Sequence, residues 1–422
     1  MHPRAVRPVC WPSIPESAAE RRGGPALSTH LPEPDADERA HSAALESLVR
    51  DEIAAAGPMP FARYMELALY APGLGYYSAG RTKFGAAGDF VTAPELGALF
   101  ARCIARALAP TLRELGAGAD VLEIGGGSGA FAVDALRELA DQDALPRRFL
   151  VLEPSADLAA RQRARVAAEL PTALAERVEW IQRPPSEPWR GVLFANEVVD
   201  ALPTTRFTLQ DGEVYEEHIG LAHSGPEPDR LARIDRPADL LVSNAVRHLE
   251  RALGRPFEDG YRSEVLPQLP YWLQAVAGTL EQGAMLFVDY GYPRREYYLP
   301  ERRDGSLVCH YRHRAHADPL LWPGLSDITA FVDFTALAEA GVGAGFDFVG
   351  YAPQGQFLLS SGLLDLVGDG DADEVERVRR TAEVKRLTLP GDMGERFQAI
   401  AFARGVDDVL PGLRAFDLSH RL

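Results

Sequence analysis

The chain has 422 residues, 46% of them hydrophobic and 25% charged, with 44 basic against 61 acidic side chains and a formal charge of -17 at pH 7. At roughly 150 residues per domain this allows two or three domains, or one large α/β domain with insertions, and it excludes a stapled miniprotein and wholesale disorder. The acidic balance opposes a phosphate backbone, whose binding depends on releasing counterions at basic contacts, so no nucleic-acid partner is expected.

Residues 1–42 hold seven prolines and few core-forming side chains, a mixture that buries too little apolar surface to offset chain entropy, and they read as a disordered leader. Residues 43–110 read as an N-terminal helical and loop segment. Within it Leu45, Leu48, Val49 and Ile53 recur at helical spacing up to Gly57-Pro58, and a second helix is expected from Phe61 to Tyr70. The glycine-rich stretch to Thr92 reads as an ordered, functional loop, followed by a helix near Pro94 to Ala109.

From about residue 111 to 422, short apolar runs alternate with amphipathic ones. Val121 to Ile124, Phe149 to Leu152, Val178 to Ile181, Val192 to Ala195 and Met285 to Val288 read as strands, with helices at Phe131 to Leu139 and Leu158 to Leu170. Strands apolar on both faces and separated by helices predict a doubly wound α/β fold with a mostly parallel, Rossmann-like sheet. Two insertions interrupt it, near 206–280 and 292–345. In the first, Arg206 to Leu221 reads as a hairpin turning at Asp211-Gly212, followed by a helical stretch as far as Leu280. Ligands in such folds sit beyond the carboxyl ends of the strands, so both insertions are expected to border the site.

The cysteines, Cys10, Cys103 and Cys309, form no CxxC pair, which fits a reducing interior and leads to the expectation of a cytoplasmic protein. No apolar stretch approaches the ~20 residues of a membrane-spanning helix, so no membrane insertion is expected. The amino terminus lacks the apolar run of a secretory signal.

The strongest local motif is Val121-Leu-Glu-Ile-Gly-Gly-Gly-Ser-Gly129, a strand entering glycines ahead of a helix. Gly125, Gly127 and Gly129 allow a sharp turn and a close ligand approach, and the helix N-terminus offers N–H groups to an anion. Gly125, Gly127 and Ala130 also satisfy the dinucleotide pattern G-x-G-x-x-G/A, which leaves an NAD(P)-dependent oxidoreductase open. Glu123, two residues before the first glycine, and Glu153, placed after the next strand where an acid can accept both ribose hydroxyls, tilt the choice. Together these residues resemble class I S-adenosylmethionine methyltransferases. The fourth strand ends in Asn196-Glu197-Val198-Val199-Asp200, where polar residues directly after an apolar run are costly without partners or a role.

Several longer motifs stand in one order: Gly88 to Glu95, the glycine loop, Asn196 to Pro203, Asp289 to Tyr292, Cys309 to His316, Asp327 to Ala330 and Val332 to Phe334. In this they resemble the MidA family, which includes the mitochondrial complex I assembly methyltransferase, over roughly Tyr64 to Phe402. The resemblance implies bound S-adenosyl-L-methionine and N-methylation of arginine in a protein substrate such as a respiratory complex I subunit. It also implies cofactor contacts from Phe90, Thr92, Glu123, Gly125, Gly127, Gly129, Glu153 and Asn196; Glu197 and Asp200 are the candidate catalytic carboxylates, because acids near the methyl would offset the charge of a guanidinium acceptor. Substrate contacts are implied from His310, Tyr311, Asp327 and Asp333. His310, His313 and His316 would share a face if their segment were helical, as zinc ligands might, but the interleaved Arg312 and Arg314 burden a dication site, so no metal is expected. A non-enzymatic alternative is an assembly factor that keeps the fold as a binding platform.

Overall fold

The structure, a computed structural model, describes residues 31–80, 92–222, 229–368, 373–407 and 409–422. The chain divides into two compact units, one of Met1–Phe90, Ala201–Pro267 and Arg295–Phe331, the other of Val91–Asp200, Gln268–Arg294 and Val332–Leu422.

The second unit is built on an eight-stranded sheet. Its main path runs Asp347–Pro353, Phe397–Arg404, Leu280–Tyr292, Trp189–Asn196, Asp120–Ile124, Phe149–Leu152, Val178–Ile181, and the short Val332–Asp333 pairs with Leu280–Tyr292. Every pair is parallel except those made by Phe397–Arg404. All five apolar runs read from the sequence lie in this sheet. Strands buried on both faces need helices on both sides. Ala130–Asp141 and Ala156–Glu169 supply two of them as the crossovers that follow Asp120–Ile124 and Phe149–Leu152. Phe131 stacks on Phe194 of the sheet with centroids 4.2 Å apart. The helix Leu99–Leu115 is tied to Ala130–Asp141 through buried Glu138, which takes Arg102 Nε at 2.7 Å and Arg106 Nε at 2.5 Å.

In the first unit, the helix Ala36–Ala56 begins inside the segment read as leader. Asp35 accepts from Glu38 N and Glu38 accepts from Asp35 N, a capping box that satisfies two otherwise orphaned donors and stabilises the start. Residues 1–30 lie outside the described residues. The helix packs Leu45, Val49 and Ile53 into one core with Phe61, Tyr64 and Met65 of the helix Phe61–Tyr70. Thr205–Gln210 and Glu213–Leu221 form the expected hairpin, with left-handed Asp211 (φ 50°) and Gly212 (φ 77°) in the turn.

The helical stretch expected to continue to Leu280 is instead mixed: strand Leu231–Pro237, helix Leu240–Leu253, strand Arg262–Val265 and helix Leu269–Ala277. Leu231–Pro237 pairs with Glu213–Leu221 and Arg262–Val265 with Thr205–Gln210, long-range ladders that local periodicity does not reveal. The histidine segment is not helical either. Val308–Tyr311 and Arg314–His316 form a hairpin whose turn uses left-handed Arg312 (φ 46°) and His313 (φ 60°), and Asp327–Thr329 completes a three-stranded sheet.

Candidate active site

The strand Asp120–Ile124 is buried throughout and leads into Gly125, Gly127 and Gly129, whose φ values of 71°, 53° and 83° are left-handed, where a side chain is strained. The helix Ala130–Asp141 starts at Gly129 with no side-chain cap. Its first-turn N–H groups therefore suit a ligand anion. A Cβ on Gly125 would lie 3.3 Å from Val198 Cγ2, so the glycine loop abuts the loop that follows Asn196.

Two acids stand at neighbouring strand ends. Glu123 is buried, and its Oε2 has no hydrogen-bond partner among the described residues. Burial and the charge of Glu153 push its carboxyl up to about 8, so it holds its proton at neutral pH. Glu153 accepts Ser155 N–H on Oε1 at 2.9 Å and Gln162 Nε2–H on Oε2 at 3.0 Å.

The second loop begins at Asn196, whose Nδ2 donates to Glu197 Oε1 at 3.1 Å while its buried Oδ1 has no partner among the described residues. Glu197 sits at φ 54°, a left-handed conformation that a non-glycine residue keeps only when its surroundings impose it. Its N–H donates to Val288 O at 2.9 Å, which pins it to the adjacent strand. Asp289 secures the rest, since its Oδ2 accepts the N–H groups of Val198, Val199 and Asp200 at 3.2, 2.9 and 3.3 Å. The next residue, Tyr290, donates its hydroxyl to Asp200 Oδ2 at 2.5 Å. Burial, then the charges of Asp200 and Glu197, hold the Asp289 carboxyl well above the usual range. The sequence reading assigned no role to Asp289 or Tyr290, although they end an apolar run just as Asn196 does.

These residues fit an adenosyl cofactor. The fit rests on an acid oriented at the end of the second strand of the glycine-loop crossover, left-handed glycines at a close approach, and buried polar atoms of Glu123 and Asn196 that no group among the described residues satisfies. A family model described as "Putative S-adenosyl-L-methionine-dependent methyltransferase" matches residues 103–352. The chain belongs to this family. The methyltransferase is also 40% identical to a Burkholderia thailandensis protein solved with S-adenosyl-homocysteine bound, with a TM-score of 0.86 and coverage of 93% of this chain and 100% of that one. Among curated relatives, the Drosophila melanogaster "Protein arginine methyltransferase NDUFAF7 homolog, mitochondrial" is 29% identical over 91% of each chain. The Danio rerio counterpart is 26% identical over 82% of this chain and 84% of its own. S-adenosyl-L-methionine is thus the cofactor, and the nicotinamide alternative left open by the glycine pattern falls away.

The cytoplasmic expectation is corrected by these relatives, which are named as mitochondrial proteins. Scattered cysteines report a reducing surrounding and do not distinguish one such compartment from another. No described helix is long and apolar enough to cross a membrane.

The remaining expected site residues lie on other elements. Phe90 lies outside the described residues, and Thr92 occupies the cap position of Ala93–Leu96 without a side-chain cap bond. Asp333 caps the helix Phe334–Gly343 by accepting from Thr335 N at 3.0 Å and Ala336 N at 3.1 Å, and it meets Arg294 Nε at 3.3 Å. Both of its oxygens are thereby engaged in the fold. In the first unit, Tyr311 is buried and donates to Glu38 Oε2 at 3.0 Å, and Asp327 accepts from Tyr77 OH at 2.8 Å. His310 is buried on the hairpin, and burial with neighbouring His316 pushes its pKa down to about 4. It is therefore neutral at neutral pH.

Proposed function

We propose that the methyltransferase is a protein arginine N-methyltransferase acting on a respiratory complex I subunit or a similar protein. The observation that carries this reading is the acidic loop: Glu197 in a strained conformation, Asp200 beside Tyr290, and Asp289 holding the loop between them. The names of the curated relatives, as protein arginine methyltransferases, support the same substrate chemistry.

In this reading Gly125, Gly127 and Gly129 take the methionine portion of the cofactor, Glu153 its ribose hydroxyls, and Glu123 and Asn196 line its bed, with Thr92 beside it. When bound, S-adenosyl-L-methionine supplies a methyl group activated by a sulfonium. An arginine side chain is a demanding acceptor, because its guanidinium stays charged and has no free lone pair. Glu197 and Asp200 answer that difficulty. Two carboxylates can hold the planar fork, offset its charge beside a second cation and concentrate electron density on one nitrogen. Asp289 and Tyr290 position the two acids, and holding the acceptor in a near-attack geometry is most of what methyl transfer asks of a protein.

Incubating the purified enzyme with methyl-labelled S-adenosyl-L-methionine in a lysate, then locating the label by mass spectrometry, tests the reading. Label on arginine side chains of a protein is the expected result. Label confined to lysine, a carboxyl group or a small molecule overturns it.

A further inference from the structure

We infer that Gln162 is a positioning residue for cofactor binding, fixing the Glu153 carboxylate and the glycine loop in one geometry through two donated hydrogen bonds. Gln162 lies on the helix Ala156–Glu169 and is 1% exposed. Its Nε2 donates to Glu153 Oε2 and to Gly127 O, both at 3.0 Å, which uses both amide hydrogens. Its Oε1 accepts from Trp180 Nε1 at 2.9 Å. An indole N–H only donates, so Trp180 sets the direction of the amide, because a flipped Gln162 would face donor with donor. Trp180 is itself covered by the Arg163 guanidinium, 4.9 Å from its ring centroid.

The neighbouring contacts fit the same purpose. A Cβ on Gly126 would come within 3.2 Å of Gln162 Nε2, and one on Gly129 within 3.2 Å of Gln162 Cα, so small residues in the loop make room for this side chain. Three residues further along the helix face, Arg165 Nη1 donates to Ser128 Oγ at 2.6 Å. The helix thereby grips the loop at consecutive residues, Gly127 and Ser128.

The consequence concerns acceptor capacity. A carboxylate offers about four lone-pair directions. Ser155 N–H occupies one on Glu153 Oε1 and Gln162 one on Oε2, so a donor on each oxygen orients the group. Without Gln162 the carboxylate loses the donor that fixes Oε2.

This inference rests on the assignment of Glu153 to the ribose, and the experiment separates the two. S-adenosyl-homocysteine is titrated calorimetrically into wild type, Gln162→Met, Gln162→Glu, Glu153→Gln and the Gln162→Met/Glu153→Gln double variant, with thermal melts to confirm folding. Gln162→Met should weaken binding roughly tenfold or more, the scale of a hydrogen bond to a charged group, and the loss should shrink in the Glu153→Gln background. Gln162→Glu should bind more weakly still at pH 7.5 and recover toward the Gln162→Met level as the pH falls to 5, where the new carboxyl regains one donor. A purely space-filling role gives no such pH dependence. Should Gln162→Met fail to fold, Trp180→Phe, which leaves both donors in place but frees the amide to flip, should weaken binding about threefold. Glu153→Gln binding like wild type overturns the ribose assignment. A sensitive Glu153→Gln beside an insensitive Gln162→Met, or equal losses in both backgrounds, overturns the role of Gln162 alone.

Discussion

Both units bury carboxylates matched with guanidinium groups, but the second also buries acids without one. In the first unit Glu217 is fully buried and receives Arg206 at 3.1 Å and Arg262 at 2.6 Å, while Glu264 takes Arg206 Nε at 3.2 Å and Ser306 N–H at 2.7 Å. In the second, buried Glu138 and Asp120 are likewise paired with arginines, but Glu123 Oε2 meets no donor among the described residues, and Asp289 is held by backbone N–H groups instead of a cation. Buried acids matched with guanidinium groups form a closed network that serves the fold. Acids buried without a cation keep their protons and their capacity to meet a ligand. Burial alone therefore does not mark the site; the identity of the partner does.

The sharpest way to break this comparison is Glu197→Gln. If this acid meets the substrate guanidinium, methylation should fall by roughly 10²–10³ or more, while affinity for S-adenosyl-homocysteine stays within a few fold. Label transfer and calorimetry measure the two separately, and unchanged turnover removes the assignment. On the structural side, Arg206→Met should lower unfolding free energy by about 3–5 kcal/mol, because it takes the paired guanidinium from buried Glu264 and one of those from buried Glu217. Urea titration reads this, and a loss under about 1 kcal/mol would show that the network is not closed in the sense argued here.

Glu123→Gln tests the other half. The Glu123 carboxyl rises from 4.5 to about 8 on folding, so the native state binds the extra proton between those values. Its contribution to stability is complete below about pH 4.5 and is lost as the pH climbs through about 8. The neutral amide removes that slope. Without cofactor, Glu123→Gln should match wild type near pH 5 and melt ~2–4 °C higher at pH 8.5, as followed by calorimetry across pH. An identical pH profile for both proteins would mean that Glu123 is already ionised in the fold.

The parallel core was legible because strands buried on both faces are written as continuous apolar runs, as in Phe149–Leu152 and Trp189–Asn196. The acids Glu123, Glu153 and Glu197 stand out in the sequence for a related reason, since charge in or beside such a run is uncommon. The first unit was harder to read. Leu231–Pro237 is a strand only because Glu213–Leu221 lies beside it, and the histidine spacing suggested a helix until the left-handed Arg312 and His313 turned it into a hairpin. Gln162 carries no local signal at all, because its role exists only once its helix is laid across the glycine loop.

The smallest expected effect distinguishes structural from substrate-facing acids within one unit. Asp333 resembles a substrate residue by motif, yet its Oδ1 caps Phe334–Gly343 and its Oδ2 meets Arg294, whose Nη2 also pairs with Glu339 at 2.6 Å. Asp333→Ala should therefore cost about 1 kcal/mol of stability, the usual price of an N-cap. Asp333→Asn keeps a capping oxygen and leaves Arg294 its second carboxylate, so it should recover most of that loss. Neither change should alter the KM for the methylated protein by more than about twofold, since about 0.4 kcal/mol is within the reach of indirect effects. A KM raised tenfold by Asp333→Asn in a protein of unchanged melting temperature would place this carboxylate on the substrate, and the rule that paired acids serve the fold would then fail at this position.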